Sequence, residues 1–320
     1  MTGPSAKPRV LVLGDLMLDV VLAAARPIES GTDVPGRVEI RQGGSAANTA
    51  RWLGRLGVAT QLVCSIGRDG AGRSLVLQLE RDDVTVHARR IAGSRTGRIG
   101  VLVAPGGERS FVADRRAADL LAPEDLQDVW FQRLDLVHLP IYSLLGEPLG
   151  RAGMRAIGLA RAHGALVSLD LASIGPMLAE GRRAARELVA GARPDLLFAT
   201  EPEAQALLGR HAPDGLLELA EVVVIKLGDR GARVVARRPA REDEDPATPQ
   251  SLAFDVATPA LPAKDTTGAG DAFDAGFIAG WLTARAAARP LADALHRATL
   301  QGHRTAARHL GTPRVELPAG

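Results

Sequence analysis

Short apolar runs alternate with helical patterns along most of the chain, and this alternation restricts the possible folds more than any other feature. The runs with the length and composition of buried strands are Arg9–Gly14, Leu134–Leu139, Ala165–Leu169, Asp195–Ala199 and Val222–Leu227. The helical patterns between the later runs are Leu149–His163, Pro176–Ala190 and Glu201–Leu208. Strands and helices that alternate at this interval indicate an α/β fold, in which helices cover both faces of a mostly parallel sheet. Such a sheet keeps its ligands at the carboxyl ends of its strands.

Two stretches in the first third of the chain follow a different pattern. Residues Val34–Arg41 and Arg98–Arg115 alternate apolar and polar side chains, and a turn signal at Pro105-Gly-Gly107 divides the second stretch. This pattern predicts half-exposed antiparallel strands, which we expect to pair with each other as a small β-sheet lid. One domain over residues 1–320, with lid strands inserted at about 33–41 and 96–115, fits better than two domains.

Composition excludes several classes of protein. The chain has 320 residues, 39 basic and 37 acidic side chains, and only 3% aromatic residues. Near-neutral charge and few aromatic rings argue against a nucleic-acid partner. No window reaches the ~20 apolar residues of a membrane span, and the first residues lack the apolar stretch of a signal peptide, so a cytoplasmic protein is expected. The single cysteine, Cys64, lies in an apolar run and is interpreted as a core thiol.

The run Asp265-Thr-Thr-Gly-Ala-Gly-Asp271 carries the clearest chemical signal. Two glycines precede an acid at the start of a helical pattern that continues to Leu282. Backbone amides at a helix N-terminus form a site for an anion, and a carboxylate beside that anion can take a proton from an attacking hydroxyl. The pattern therefore indicates phosphoryl transfer to an alcohol. None of the three lysines follows a glycine, so a Gly-Lys-Ser/Thr phosphate loop is excluded.

A second glycine-rich segment, Gly43-Gly-Ser-Ala-Ala-Asn48, leads directly into another helical pattern. Its glycines could let the backbone approach a ligand, with the Asn48 amide nearby; a tight packing turn with Ser45 as the N-cap explains them equally well. Asp15 and Asp19 follow the first strand, where they could accept hydrogen bonds from a polyol or act as solvated or capping acids.

Together these segments resemble the PfkB (ribokinase-like) family of carbohydrate and nucleoside kinases. The Gly43–Asn48 segment is similar to the first family signature, and the Asp265–Asp271 run matches the second without a gap. The resemblance extends from Gly14 to about Gly311 in family order. It implies a ribokinase-like three-layer αβα sandwich with a central mostly parallel sheet and a small β-sheet lid.

The resemblance also implies roles for individual residues. Asp271 corresponds to the catalytic base. The backbone from Thr267 through Gly268, Ala269 and Gly270 corresponds to the hole for the γ-phosphoryl group of ATP. Asp19 corresponds to the acid that holds sugar hydroxyls, and the sugar-facing loop corresponds to Gly43, Gly44 and Asn48.

Two further segments resemble the nucleotide side of the family. Lys226-Leu-Gly228-Asp-Arg-Gly231 is similar to the ATP-side turn, although lysine stands where the family usually has threonine. The resemblance implies ATP-side roles for Lys226, Gly228 and Gly231; Lys226 could place a charge near the phosphates of ATP or reach solvent from the end of its strand. Glu203 corresponds to the acid that organises Mg²⁺ through water, while Thr200 replaces the usual asparagine. The resemblance thus implies ATP and Mg²⁺ as cofactors, and leaves a requirement for a monovalent cation such as K⁺ open.

The acceptor is less constrained. Gly107–Phe111, which includes Arg109, resembles the lid strand of members that close over simple sugars, and Arg115 and Arg116 could hold an anionic group or form a solvated pair. An ATP-dependent kinase of a monosaccharide or sugar acid is therefore the first hypothesis. A nucleoside kinase and a non-catalytic sugar-binding regulator are the alternatives, and a missing Gly-x-Gly-x-x-Gly argues against a dehydrogenase. By analogy we expect a homodimer formed through the lid, with Val101, Val103 and Val112 as candidate contacts.

Overall fold

The structure is a computed structural model that describes residues 7–209, 213–238, 250–259, 265–312 and 316–317. The described part contains thirteen strands: β1 (Arg9–Leu13), β2 (Met17–Ala24), β3 (Gly36–Gly43), β4 (Ala59–Gly67), β5 (Val84–Ile91), β6 (Arg98–Val103), β7 (Arg109–Asp114), β8 (Leu136–Pro140), β9 (Leu166–Asp170), β10 (Leu196–Thr200), β11 (Val222–Lys226), β12 (Ala232–Arg237) and β13 (Ser251–Val256). Its α-helices are α1 (Ser45–Arg55), α2 (Gly70–Arg81), α3 (Leu149–Ala162), α4 (Ile174–Met177), α5 (Arg182–Ala192), α6 (Glu201–Leu208), α7 (Ala269–Ala286) and α8 (Leu291–Gly311).

The central sheet has the strand order β13-β12-β11-β10-β9-β8-β1-β4-β5 in the described residues. Strands from β11 to β5 pair in parallel, while β12 pairs antiparallel with both β11 and β13. The sheet is therefore mostly parallel, as the sequence predicts. Its inner strands are apolar almost throughout because helices cover both of their faces.

Helices form two layers around this sheet. Alternate side chains of β1 enter different apolar cores: Val10 and Val12 lie in one, and Leu11 and Leu13 in the other. The first core is closed by α1, α2, α7 and α8, and the second by α3, α5 and α6. This arrangement is the predicted three-layer αβα sandwich. Cys64 is buried in the first core, where burial raises the pKa of its thiol to about 12.

One predicted helix is wrong at its start. The pattern over Pro176–Ala190 divides into the short α4 and the longer α5, which begins at Arg182. Gly181 is the N-cap residue of α5, and its φ of +89° is a conformation that favours glycine and cannot continue a helix.

The lid is a second sheet with the order β3-β2-β6-β7. The predicted direct pairing of its two stretches is wrong, because β2 lies between β3 and β6. Residues that face each other across neighbouring strands point to the same side of a sheet. Asp19 of β2 thus shares the cleft side with Arg41 and Ile99.

Apolar side chains cover the opposite side of the lid. Val38 and Val112 are 64% and 66% exposed. The strand register places them on one face with Ile40, Val20, Leu22 and Leu102. Two of the predicted dimer contacts do not belong to this face: Val101 is only 3% exposed, and Val103 pairs with Arg109 on the cleft side.

No helix in the described ranges is both long and apolar enough to cross a membrane.

Candidate functional site

A cleft of about 1100 Å³ lies where the carboxyl ends of the central strands meet the lid. Strands β9, β10 and β11 end at Asp170, Thr200 and Lys226, and all three residues line the cleft. The lid contributes side chains from β6 and β7. The predicted site residues that line the cleft are Asp15, Asp19, Gly44, Asn48, Arg109, Glu203, Lys226, Thr267, Gly268, Gly270 and Asp271.

The N-terminus of α7 faces this cleft. Gly268 is the N-cap residue, with φ +78°, and Ala269 is the first residue of the helix. The backbone amides of Gly268 and Gly270 have no acceptor among the hydrogen bonds of the described residues, as is usual for the first turn of a helix. Free amides at a helix N-terminus, together with the helix dipole, can bind an anion, and the role predicted for this turn stays a prediction.

Asp271 lies in the first turn of α7, beside these amides. Its carboxylate accepts a hydrogen bond from Ser45 Oγ at 2.6 Å and one from Asn48 Nδ2 at 2.9 Å. Gln42 Nε2 donates to Asn48 Oδ1 at 3.4 Å, which orients the asparagine amide toward Asp271. The two glycine-rich segments, more than 200 residues apart in sequence, therefore meet at one carboxylate.

The environment of Asp271 changes its proton affinity. Burial raises the pKa of its carboxyl to about 6, and the negative charge of Asp170 acts in the same direction. The two hydrogen bonds from Ser45 and Asn48, together with the positive charge of Lys226, lower it. A carboxylate with a pKa near 6 is mostly ionised at neutral pH and still accepts a proton readily.

The glycines of the first segment are explained by close approach of Asp15 and Asp19. A Cβ atom on Gly43 would lie 1.8 Å from Asp19 Oδ1, and one on Gly44 would lie 2.5 Å from the Asp15 carbonyl oxygen. Gly44 is the N-cap of α1, with φ +98°. The alternative in which Ser45 is the N-cap is therefore wrong: Ser45 is the first helical residue, and its hydroxyl donates to Asp271.

Asp15 connects the first turn of α1 to the segment after the lid. Its Oδ1 accepts from the Ala46 amide at 3.1 Å, and its Oδ2 pairs with Arg115 at 3.1 Å. Arg115 also pairs with Asp119 at 2.6 Å and lies 5.0 Å from the centre of the Tyr142 ring. The two arginines therefore do not form a solvated pair, one of the two alternatives from the sequence. Arg115 is largely buried, whereas Arg116 is 54% exposed and pairs with Asp114.

Two lid arginines contact Asp265, the first residue of the Asp265–Asp271 run. Asp265 pairs with Arg41 of β3 and with Arg109 of β7, each at 2.9 Å. Arg109 Nη1 also donates to Thr266 Oγ1 at 3.3 Å. Arg109 therefore lies in the cleft wall as predicted, but in this structure it binds the protein's own loop. The role of Arg41 was not predicted from the sequence.

Helix α8 fixes the same loop from the other side. Trp52 Nε1 lies 3.1 Å from His309 Nδ1, and His309 Nε2 lies 2.8 Å from the Thr267 carbonyl oxygen. An indole N–H can only donate, so Nδ1 is the acceptor and Nε2 carries the proton that it donates to Thr267. His309 is 42 residues from its partner, and no local sequence pattern indicates this contact.

Lys226 ends β11 between two buried carboxylates. Its Nζ is 3.0 Å from Asp170 Oδ1 and 3.1 Å from Asp274 Oδ2. Burial disfavours the ammonium ion, but the charges of Asp170, Asp274 and Glu203 outweigh burial and raise the pKa of the lysine. Sequence reasoning missed both aspartates. Asp274 could have been found, because it follows Asp271 by three residues and so shares its helix face.

Glu203 and Thr200 cap helix α6. The Thr200 amide donates to Glu203 Oε2 at 2.7 Å, and the Glu203 amide donates to Thr200 Oγ1. Burial raises the pKa of Glu203, and the Asp170 charge adds to the effect. No group of three or more potential metal ligands occurs among the described residues. A single carboxylate in the cleft wall fits an Mg²⁺ ion that keeps most of its waters.

The predicted ATP-side glycines lie in the turn after β11. Gly231 has φ +101°, and a Cβ atom there would lie 2.1 Å from the Val256 carbonyl oxygen. Gly228 has φ +67°, with open space beside it. Packing against β13 is thus a sufficient reason for glycine at position 231, and the role of both residues toward ATP remains a prediction.

Solved structures share this architecture. The adenosine kinase of Sinorhizobium meliloti superposes with a TM-score of 0.77, covers 98% of both chains and is 23% identical in sequence. The E. coli protein called ribokinase II, in complex with ATP and Mg²⁺, gives a TM-score of 0.72 over 92% of both chains at 22% identity. The fold is therefore that of the ribokinase-like kinases.

Sequence comparison identifies the family. The model of the pfkB family carbohydrate kinases matches residues 7–313, and the chain belongs to this family. The ATP-dependent ribose-1-phosphate kinase of Halopiger xanaduensis is 33% identical over 278 residues, which are 86% of this chain and 85% of the relative. Fructokinase-1 of Oryza sativa subsp. japonica is 30% identical over 275 residues, which are 82% and 80% of the two chains.

Proposed function

We propose that this carbohydrate kinase transfers the γ-phosphoryl group of ATP to a hydroxymethyl group of a monosaccharide or sugar acid. The position of Asp271 carries the proposal: a carboxylate with a pKa of about 6 lies one residue beyond amides that can bind an anion. The same carboxylate contacts Ser45 and Asn48 of the predicted sugar-facing segment. One group can therefore meet the acceptor hydroxyl and the phosphoryl group together.

In the proposed reaction Asp271 accepts the proton of the acceptor hydroxyl as its oxygen attacks the γ-phosphorus. The new O–P bond forms while the bond from the γ-phosphorus to the β,γ-bridging oxygen breaks, and ADP leaves. The amides of Gly268 and Gly270 stabilise negative charge on the phosphoryl oxygens. Ser45 and Asn48 hold the carboxylate in place, and its remaining lone pairs are available to the acceptor.

Glu203 and the lid each have a further role in the proposed reaction. Glu203 is the residue that we expect to hold Mg²⁺ through water. When bound, that ion would offset charge on the ATP phosphates. The lid side chains close over the cleft and exclude water, which would otherwise compete with the sugar as acceptor.

Polar groups at the lid side of the cleft support a sugar-type acceptor. Asp19 is 8% exposed, shares the cleft face of the lid and lies near Asn48. Carboxylate and amide groups of this kind bind sugar hydroxyls. The curated relatives named as fructokinases and as a ribose-1-phosphate kinase favour a sugar or sugar phosphate acceptor.

We also propose that two copies of the chain associate through their lids. The lid face opposite the cleft carries exposed Val38 and Val112, and exposed apolar faces of this kind are typical of protein interfaces.

The acceptor test is a screen of ATP-dependent ADP release against pentoses, hexoses, their phosphates, sugar acids and nucleosides. Release that depends on a sugar-type acceptor is the expected result. Release with nucleosides alone would favour the nucleoside kinase. Tight sugar binding without release from any acceptor would favour the non-catalytic regulator.

A further inference from the structure

A group of three ionisable side chains lies next to the proposed base. Lys226 ends β11, Asp170 ends β9 and Asp274 belongs to α7, and their side chains are only 11%, 4% and 1% exposed. The lysine ammonium bonds to both carboxylates within 3.2 Å. Three different elements thus bring one ammonium and two carboxyl groups together beside the cleft. Burial raises the pKa of the Asp274 carboxyl, and the Lys226 ammonium, which bonds to both of its oxygens, acts in the opposite direction and favours the ionised form.

This group is adjacent to Asp271. Asp274 follows Asp271 by three residues on the same helix face, and a Cβ atom on Gly270 would lie 3.5 Å from Lys226 Nζ. Because these charges are shielded from water, they act strongly on a neighbouring carboxylate. Asp170 disfavours the ionised form of Asp271, and Lys226 favours it.

Other groups also face this region. Glu203 of α6 interacts electrostatically with Asp170 and Lys226. Tyr142, in the segment after β8, is affected by the charges of Asp271 and Asp15. Ser45 and Asn48 donate hydrogen bonds from α1, and the uncharged tautomer of His309 holds the loop from α8. Within the described residues that affect Asp271 most, Lys226 is the cation.

We propose that Lys226 is a positioning residue of the phosphoryl-transfer site, whose ammonium holds Asp170 and Asp274 in place and leaves Asp271 facing one net negative charge instead of two. The inference rests on the proposed role of Asp271 as the base. It differs from direct contact between Lys226 and ATP, the role that the resemblance implies, because the ammonium bonds to the protein's own carboxylates. A buried ion pair that serves stability alone is the competing explanation.

Charge-matched variants separate these explanations. Lys226→Met leaves both carboxylates without a cation, Asp274→Asn removes one negative charge, and the double variant restores the original net charge of the group. Lys226→Arg keeps the cation. The ¹³C chemical shift of the Asp271 carboxyl, assigned by its loss in Asp271→Asn, is measured against pH in the ligand-free, metal-free full chain.

We expect the Asp271 midpoint to move to higher pH by about one pH unit or more in Lys226→Met, and to lower pH in Asp274→Asn. The double variant should return to within a few tenths of a pH unit of the wild type, as should Lys226→Arg. In each variant, the acidic limb of the kcat–pH profile should shift in the same direction as the Asp271 midpoint. If Lys226→Met does not fold, two results still decide the question: the shift of the Asp271 midpoint to lower pH in Asp274→Asn, and its return to the wild-type value in the double variant.

Midpoints that stay at the wild-type value in all folded variants, with only thermal stability changed, would overturn the inference. The carboxyl titration needs no acceptor and no ATP. It therefore remains informative if the kinase proposal fails, while a failed titration leaves the ADP-release screen unaffected.

Discussion

At Asp271, burial and hydrogen bonding have opposite effects on the ionisation of one carboxyl group. Burial raises its pKa to about 6, while donors from Ser45 and Asn48 limit the rise. A general base is most effective when its pKa lies near the pH at which it works. The first glycine-rich segment, for which we predict contact with the sugar, also supplies both hydrogen-bond donors to the Asp271 carboxylate.

Removing the Ser45 hydroxyl should shift the pH dependence of catalysis. Ser45→Ala deletes a donor that favours the ionised form of Asp271, so the pKa of the base rises. The acidic limb of kcat/KM should move to higher pH by about half to one pH unit, the equivalent of one hydrogen bond. Ser45→Thr, which keeps a hydroxyl, is the matched control. An unshifted limb in Ser45→Ala would show that this hydrogen bond does not act on the base.

At the level of elements, the N-terminus of α7 is fixed from two directions. Helix α8 holds the Thr267 carbonyl through His309, and the lid holds Asp265 through Arg41 and Arg109. The lid is therefore connected to the turn before α7 by side-chain contacts. In the proposed reaction this turn binds the phosphoryl group, and we expect closure of the lid over a sugar to order it.

Breaking the connection at Arg109 should weaken catalysis without damage to the fold. Arg109→Met keeps an unbranched apolar stem but loses the guanidinium that pairs with Asp265. The Arg109 side chain is only 13% exposed in this pair. We expect KM for the acceptor to rise by roughly tenfold and kcat to fall, since the turn is less well ordered. Steady-state kinetics measures both constants.

Arg116→Met is the matched control for this change, because Arg116 is 54% exposed and pairs only with the exposed Asp114 in the described structure. Surface pairs of this kind contribute little. Equal kinetic effects of the two substitutions would contradict a specific role for the lid contact.

For the whole molecule, strand and helix periodicity predicted the layered fold, and the two glycine signatures predicted which segments form the cleft. The sequence did not reveal β2 as a central lid strand, because Asp15 and Asp19 looked like a ligand loop after β1. It also missed contacts between distant segments. Asp170 beside Lys226 and His309 on the Thr267 carbonyl are contacts that local patterns do not encode, whereas Asp274 could have been found from its spacing to Asp271.

The proposed lid dimer gives a prediction at this scale. Val112 is 66% exposed on the outer lid face, so Val112→Glu would place a charge in the proposed interface. Light scattering after gel filtration should give a dimer mass for the wild type and a monomer mass for the variant. Leu77→Glu, at a 54% exposed position on α2, is the control and should remain dimeric. A monomeric wild type at micromolar concentration would contradict the proposal.

The role of Asp271 as the base is the central claim, and Asp271→Asn tests it most directly. Asparagine keeps the size of the side chain but cannot accept the hydroxyl proton. We predict that kcat for the best acceptor falls by roughly 10² or more. ATP affinity and the melting temperature at pH 8 should stay at or above wild-type values, because a buried charge is removed. Turnover by Asp271→Asn at the wild-type rate would contradict the account.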